Sequence, residues 1–246
     1  MSDIHFPTHN KAIVGKDGKI FTFLKKSKRK FKKIFQIGDL MCCDSFSTHA
    51  KIPGEQENVL ETFEMAKNFW TELRKAAGKD SEITFVEGNH ELRLERYLVR
   101  QAPELLPLNV LTIPQLLELS KNNIKFKPYR QKLVVDGLKV THGKLCRPQS
   151  GNSARAELKK NKFQTGVSGH THRQGWVKDV DTAWLELGHL ADPDPQAHSY
   201  LDDGEADWNP GFGIGTCCED EQGKKHWFLL PVEIKDSCFV VDGVLW

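Results

Sequence analysis

The chain has 246 residues, of which 39% are hydrophobic and 28% are charged, and its formal net charge at pH 7 is +2. This composition is typical of a folded globular protein and excludes an intrinsically disordered chain. The length suits one large α/β domain. Because no internal repeat or flexible linker interrupts the sequence, we predict a single domain over residues 1–246.

The sequence predicts no association with a membrane. Its longest apolar runs, such as residues 227–232, are far shorter than the roughly 20 residues that a membrane-spanning helix requires. The first five residues lack the basic segment and apolar core of a secretory signal. We therefore expect a cytoplasmic protein. Its six cysteines match no zinc-ribbon spacing, and in the cytosol we expect them to be reduced.

The first half of the chain predicts strands that alternate with helices. A very short first strand ends at Asp3-Ile4-His5, and the charged segment 16–33 follows as a helix or hairpin edge. A second strand, residues 33–40, ends in Gly38-Asp39. The clearest helix covers residues 57–77, because apolar residues recur there at helical spacing. This apolar stripe consists of Leu60, Phe63, Ala66, Trp70, Leu73 and Ala77.

The next strand, residues 82–87, ends abruptly in Gly88-Asn89-His90-Glu91, and a helix follows over about residues 91–101. A short helix is predicted near residues 114–120. Residues 132–141 predict a hairpin that turns at Asp136-Gly137 and ends in His142.

The last part of the chain predicts mainly strands. After a helix over residues 151–161, the strand 163–168 ends in Gly169-His170-Thr171-His172. An acidic loop, residues 192–207, separates two groups of later strands, and we expect it to border the site or a partner surface. The later strands are predicted at 174–180, 183–187, 212–217, 225–234 and 238–246.

Five apolar runs thus end in possible metal ligands, and strand ends at one edge of a sheet converge in space. The possible ligands at these five ends are Asp3 and His5, Asp39, Asn89 with His90, His142, and His170 with His172. Carboxylate, imidazole and amide groups suit Mn, Fe, Zn or Co better than metals that prefer thiolates. In Asp3-x-His5 and His170-x-His172 an extended backbone would direct both side chains to the same face. Of the histidines outside these motifs, we assign His189, His198 and His226 to structure or surface.

This series of motifs resembles the calcineurin-like metallophosphoesterase family, most closely members encoded by phages and bacteria. The motifs occur in the family's order over residues 3–172, and the similarity runs on into residues 207–212. The resemblance implies an α/β fold, a four-layer α/β/β/α sandwich of two mixed β-sheets flanked by helices. It implies two divalent metal ions, with Mn favoured and Fe, Zn, Ni or Co as alternatives.

The resemblance also assigns roles to individual residues. Asp3, His5, Asp39 and His172 would hold one metal, and Asp39, Asn89, His142 and His170 would hold the other, with Asp39 bridging. His90 would bind the substrate phosphate or protonate the leaving oxygen, and Glu91 would orient His90. Of the arginines near the ligands (Arg93, Arg147 and Arg173), we favour Arg173 for binding phosphate oxygens.

Two features depart from the family pattern. Cys42 stands where the family usually has a second Asp, a residue that adjusts the metal ligands from behind. This replacement would weaken that adjustment without abolishing metal binding. The first strand is also very short, and if Asp3 and His5 are not held firmly, the first metal site would be loose or empty.

We predict a metal-dependent phosphoesterase that hydrolyses phosphate mono- or diesters by attack of a metal-activated hydroxide. The alternatives are a nuclease for DNA or RNA with the same metal centre, and a non-catalytic scaffold. The basic run 25–33 could favour a nucleotide or nucleic-acid partner by phosphate contacts, although such runs are usually solvated. The oligomeric state stays open.

Overall fold

The computed structural model describes residues 1–49, 57–194 and 207–246, in which two main β-sheets lie between helical layers. The helices are α1 (Lys11–Val14), α2 (Lys19–Lys26), α3 (Val59–Ala77), α4 (Leu92–Gln101), α5 (Ile113–Leu116) and α6 (Asn152–Lys160). The strands are β1 (Lys33–Ile37), β2 (Glu82–Val86), β3 (Ile124–Lys127), β4 (Leu133–Val135), β5 (Leu138–Val140), β6 (Gly166–Ser168), β7 (Gln174–Asp179), β8 (Thr182–Leu187), β9 (Gly211–Glu219), β10 (Lys225–Glu233), β11 (Val240–Val241) and β12 (Val244–Leu245).

The two main sheets contain parallel strands whose carboxyl ends carry the predicted ligands. The first sheet has the order β1-β2-β3, and all its strands are parallel. The second has the order β4-β5-β6-β8-β7, in which β5, β6 and β8 are parallel and the outer strands β4 and β7 are antiparallel. Loops that follow β1, β2, β5 and β6 can therefore meet at one edge.

The packing of side chains defines four layers. Between the sheets, Ile37 and Val86 of the first sheet share a buried cluster with Val140, Val167 and Leu185 of the second. The other face of the first sheet belongs to the large cluster that contains much of α2 and α3. The other face of the second sheet packs on α6. The predicted α/β/β/α sandwich of two sheets flanked by helices is confirmed.

Helix α3 shows why its sequence folds locally as predicted, and where the prediction was wrong. The Asn58 side chain accepts a hydrogen bond from the Glu61 N–H, which caps the first turn, and Gly78 with φ of 78° ends the helix. Leu60, assigned to the buried stripe, is 73% exposed. At about 100° per residue, Leu60 lies opposite the buried Phe69, so it faces solvent.

Other predicted elements have the expected type with altered bounds. The charged segment 16–33 contains α2, which buries Ile20, Phe21 and Phe23. The turn between β4 and β5 has positive φ at both Asp136 and Gly137, as a two-residue hairpin loop requires. The strand expected over 238–246 is instead a small hairpin of β11 and β12.

Part of the predicted acidic loop, and His198 within it, lie outside the described residues. Along the ranges that the structure does describe, none of the helices combines the length and apolar character needed to cross a bilayer.

Candidate metal centre

The N-terminal segment is fixed by backbone hydrogen bonds although it contains no regular strand. The Asp3 N–H donates to the carbonyl of Gly38 at 3.0 Å, and the Asp3 carbonyl accepts from the N–H of Leu190 at 2.9 Å. Phe6 then forms a parallel bridge with Met41. Asp3 is fully buried. The segment therefore lies between the end of β1 and the loop after β8, which holds Asp3 and His5 in place.

Most of the predicted ligands lie on left-handed backbone. This is a region that non-glycine residues rarely occupy, and such strain is typical of functional sites. The φ angles are 52° at Asp3, 58° at His5, 50° at Asp39, 80° at His170 and 59° at His172. The expectation of an extended Asp-x-His and His-x-His backbone is therefore wrong, because a positive φ at each histidine and at Asp3 turns the chain sharply. The side chains converge nevertheless.

The first donor set consists of Asp3, His5 and His172. The Nε2 atoms of His5 and His172 lie 2.9 Å apart, and His172 Nε2 lies 3.4 Å from Asp3 Oδ1. All three residues are buried, and their ligand atoms lie within 4.8 Å of one another. Three side chains from two segments that lie 167 residues apart in the sequence thus point to one position.

The second donor set consists of Asp39, His142 and His170, whose ligand atoms also lie within 4.8 Å of one another. His142 Nε2 is 3.1 Å from Asp39 Oδ2 and 3.0 Å from the Asn89 side-chain oxygen. Asp39 also groups with His5 of the first set. Its carboxylate therefore lies between the two sets, where a bridging ligand would be needed.

The residues fit divalent metal ions in their donor chemistry. Imidazole nitrogens and carboxylate oxygens are the ligands that Mn, Fe, Zn and Co accept. One further atom supports this fit: Nδ1 of His170 is buried and has no hydrogen-bond partner among the residues that the structure describes. Buried polar atoms are nearly always satisfied, so this nitrogen indicates a partner other than protein.

In the second donor set, Asp39 and His142 shift each other's pKa so that both side chains are charged. Burial acts to raise the pKa of Asp39, but the nearby His142 and His90 outweigh it and keep the pKa well below the usual range. Burial acts to lower the pKa of His142, but the Asp39 carboxylate dominates and raises it to about 10. The His142 Nδ1–H donates to the Ile37 carbonyl at 2.9 Å. In the metal-free protein the pair is therefore carboxylate and imidazolium.

His90 lies beside Asp39 and is held there by three contacts. Its Nδ1–H donates to the Cys42 carbonyl at 2.8 Å, and its backbone N–H donates to Asp39 Oδ1 at 3.0 Å. Its Nε2 lies 3.2 Å from a guanidinium nitrogen of Arg93. Burial lowers the pKa of His90. With Nδ1 committed to a carbonyl, Nε2 is the atom available to a substrate.

Glu91 stabilises the loops and does not contact the His90 ring, contrary to the expectation that it orients His90. Its carboxylate accepts backbone N–H bonds from Asp39 and Gly88 at one oxygen and from Met41 at the other, at 2.9–3.0 Å. It is fully buried, and this burial raises its pKa to about 8. The Cys42 carbonyl performs the orienting function that was assigned to Glu91.

Two of the three candidate arginines, Arg173 and Arg93, differ in their surroundings. The Arg173 guanidinium donates to Asp207 at 2.6 Å and to the carbonyl of Arg147 at 2.5 Å. Arg93 donates to Asp44 and to the Cys42 carbonyl, and it also contacts the His90 ring. The structure thus brings Arg93 to the predicted general acid, whereas the guanidinium of Arg173 bonds to Asp207 and Arg147. The role of Arg173 stays a prediction.

Several residues that contact the site were not predicted to do so. The Trp208 ring meets His172 edge to face, with centroids 4.2 Å apart. The buried His189 ring lies 5.5 Å from His172, so its assignment to structure places it beside the site. His226 pairs with Asp220 at the surface, as expected. The only sequence signal for Trp208 was its position in the segment 207–212 that carries the family resemblance.

Cys42 lies behind His5. Its Sγ is 3.8 Å from His5 Nδ1 and 3.4 Å from both the His5 carbonyl oxygen and the Thr8 hydroxyl. Burial raises the pKa of this thiol above its usual range, so it is neutral. The residue that replaces the usual Asp therefore offers His5 only a weak, uncharged partner.

Comparison with protein-family models and with curated proteins gave no match. Solved structures of similar shape include Vacuolar Protein Sorting 29 from Cryptosporidium parvum, at 14% identity and a TM-score of 0.46, covering 100% of this chain and 95% of that one. Wild-type Vps29 from Entamoeba histolytica, solved with Zn²⁺, has 12% identity and a TM-score of 0.44, covering 100% and 93%. An archaeal phosphodiesterase has 17% identity and a TM-score of 0.37, covering 94% and 97%.

At these identities and TM-scores the likenesses assign no activity to this chain.

Proposed function

We propose that the protein is a dinuclear metal-dependent phosphoesterase that hydrolyses phosphate mono- or diesters, as in the calcineurin-like family that its motifs resemble. The observation that carries the proposal is the position of Asp39. Its carboxylate lies between two sets of buried imidazole and carboxylate donors, one with Asp3, His5 and His172 and one with His142 and His170. A single metal site would not need this shared carboxylate.

Each donor set would hold one divalent cation, with Mn favoured. Asn89 would complete the second set, since its side-chain oxygen lies 3.0 Å from His142 Nε2. When bound, such cations neutralise phosphate oxygens and lower the pKa of a water molecule. Asp39 would keep the two ions close together, which a symmetric clamp on one phosphate requires.

His90 would serve as the proton donor to the leaving oxygen. Its Nδ1–H is bonded to the Cys42 carbonyl, so a second proton would be carried by Nε2, and donation to the leaving oxygen requires this imidazolium form. Arg93, 3.2 Å from that nitrogen, would bind a phosphate oxygen and so place the leaving group against His90. Arg173 is the second candidate for this contact, because it follows the ligand His172 directly in the chain.

A non-catalytic scaffold is the second candidate function. It would retain the fold without requiring His90 in its present position. The buried, strained donor residues and the fixed His90 ring favour the enzyme, because strain of this kind is kept where a function needs it.

The test is hydrolysis by purified protein, with and without Mn²⁺, of p-nitrophenyl phosphate, bis-p-nitrophenyl phosphate and labelled single-stranded DNA. Wild-type protein should hydrolyse at least one substrate only when metal is present, and Asp39→Asn should abolish the reaction. His226→Ala, a change of a surface histidine, is the matched control. Bound metal without turnover of any phosphate ester would leave the scaffold as the better description.

A further inference from the structure

A row of arginines leads away from the candidate metal centre along α4. Arg93, Arg96 and Arg100 are three and four residues apart, so they share one face of the helix. Together with Asn89, Thr48 and His49 they line a groove of about 140 Å³. Since Asn89 and Arg93 also border the metal centre, the groove continues directly from it.

The groove is strongly positive. The residues that line it include three arginines and no carboxylate. Arg93 is paired with Asp44. Arg96 and Arg100 are exposed, and neither forms an ion pair with a carboxylate in the part of the chain that the structure describes. Two guanidinium groups are therefore available to an anionic ligand that extends from the metal centre.

The spacing of the row suits a chain of phosphates. With a rise of 1.5 Å per residue, the seven steps from Arg93 to Arg100 cover about 10 Å along the helix. A stacked strand of nucleic acid advances about 3.4 Å per phosphate, so the row spans about three phosphates. A lone phosphate monoester would leave Arg96 and Arg100 without a contact.

Two aromatic side chains, Phe46 and Tyr97, lie in or beside the groove that the arginines line. Phe46 lines the groove, and its ring lies 5.6 Å from that of Tyr97, which is 39% exposed. Single-stranded nucleic acids are bound by positive grooves together with aromatic side chains on which bases stack. A small phosphate ester has no use for this combination.

We propose that the groove binds the phosphates next to the scissile bond, and that the substrate is a single strand of nucleic acid. The inference rests on the proposed function, because it adds a substrate class to the same metal centre. Arg93 contacts the phosphate nearest to His90, and Arg96 and Arg100 bind the phosphates that follow. A nucleoside polyphosphate offers similar phosphate spacing, and the experiment separates the two.

Binding tests the inference independently of turnover. Labelled single-stranded oligonucleotides of two to eight nucleotides are titrated with metal-free protein, in which no cleavage intervenes, and anisotropy is recorded. The Arg96→Gln/Arg100→Gln double variant should bind about tenfold or more weakly than wild type, and its affinity should depend less on salt, with the slope reduced by about 1.4. Arg155→Gln, which removes an exposed arginine on α6, should bind like wild type.

Hydrolysis provides the second readout. With Mn²⁺, the double variant should lose at least about tenfold more kcat/KM on the oligonucleotide than on bis-p-nitrophenyl phosphate, mainly through KM. Equal oligonucleotide affinity in wild type and double variant would overturn the proposal. If the double variant lost affinity for a nucleoside triphosphate but not for the oligonucleotide, the nucleic-acid assignment would be overturned. If oligonucleotide binding responds as expected but no ester is hydrolysed, the proposed function fails while the binding site stands.

Discussion

The Nε2 atoms of His5 and His172 lie 2.9 Å apart in a buried site, although 167 residues separate them in the chain. Their rings meet edge to face, with centroids 4.7 Å apart. On the other side of the His172 ring, Nδ1 has no hydrogen-bond partner within residues 1–49, 57–194 and 207–246. Two imidazole nitrogens directed at one point, beside the Asp3 carboxylate, form a ligand set for a cation.

Replacing His172 should remove one metal site and leave the other. In His172→Ala the first donor set loses an imidazole, whereas Asp39, His142 and His170 are unchanged. We expect bound Mn²⁺ to fall from two ions to one per chain, measured by elemental analysis after gel filtration. A ligand at 100 times its Kd stabilises a fold by about 2.7 kcal/mol, so the rise in Tm on adding metal should also be smaller. Retention of two ions would contradict the assignment.

Metal affinity should increase with pH because a proton must leave His142. Asp39 raises the pKa of this imidazole to about 10 in the metal-free protein, despite its burial. Below that pH the ring is protonated, and a metal requires the neutral form, so binding releases a proton. The association constant should rise about tenfold per pH unit for each proton released. Calorimetry in two buffers of different ionisation enthalpy measures the release. A pH-independent affinity between pH 6 and 8 would contradict the charged pair.

Cys42→Asp should strengthen the first metal site. The thiol lies 3.8 Å from His5 Nδ1 and is neutral, whereas a carboxylate would accept a hydrogen bond from the ring and make Nε2 a stronger ligand. We expect an affinity gain of about tenfold, the lower end of the effect of such partners. The metal-free variant should be less stable, because it buries a further carboxylate. Cys42→Ser is the control and should leave the affinity within about twofold of wild type.

Arg93 and Arg173 should differ in their effect on turnover. Both guanidinium groups are paired with a carboxylate, Arg93 with Asp44 and Arg173 with Asp207, but Arg93 also lies 3.2 Å from His90 Nε2. Arg93→Gln should lower kcat/KM by about 10²-fold, the scale of one charged contact of 1.5–3 kcal/mol. Arg173→Gln should lower it by less than about tenfold. The reverse order would restore the prediction made from the sequence alone.

His90→Ala should impair substrates according to their leaving group. General acid catalysis contributes about 10²–10⁴-fold, and it matters most when the departing oxygen is a poor leaving group. Alkyl phosphate esters should therefore lose far more kcat than p-nitrophenyl esters, while bound metal stays unchanged. An equal loss on both kinds of ester would indicate that His90 binds phosphate without donating a proton.

The sequence predicted the layers and the meeting of the strand ends because both follow from simple patterns. Helix α3 was identifiable from its 3.6-residue periodicity and its caps, and the turn at Asp136-Gly137 from its dipeptide. Each ligand motif followed an apolar run, so convergence at one sheet edge was a geometric consequence. Leu60 was misassigned because an apolar residue in the first turn of a helix can face either side.

Details that depend on tertiary contacts were not predictable. The left-handed backbone at His170 and His172 is strained and is stabilised by surroundings that come from other segments. Which arginine, Arg93 or Arg173, can bind a phosphate oxygen beside His90 depends on where Asp207 and Cys42 lie in space. Likewise, Glu91 binds three backbone N–H groups that are close only in the folded chain. Sequence spacing carries no information on these contacts.

The most direct test of the dinuclear centre is a titration of metal-free protein with Mn²⁺ in which bound metal and hydrolysis of bis-p-nitrophenyl phosphate are measured in the same samples. We predict two ions bound per chain and turnover that follows occupancy of both sites. Asp39→Asn should lose tight binding of the pair and turnover together. Turnover without metal, or full activity in Asp39→Asn, would contradict the account.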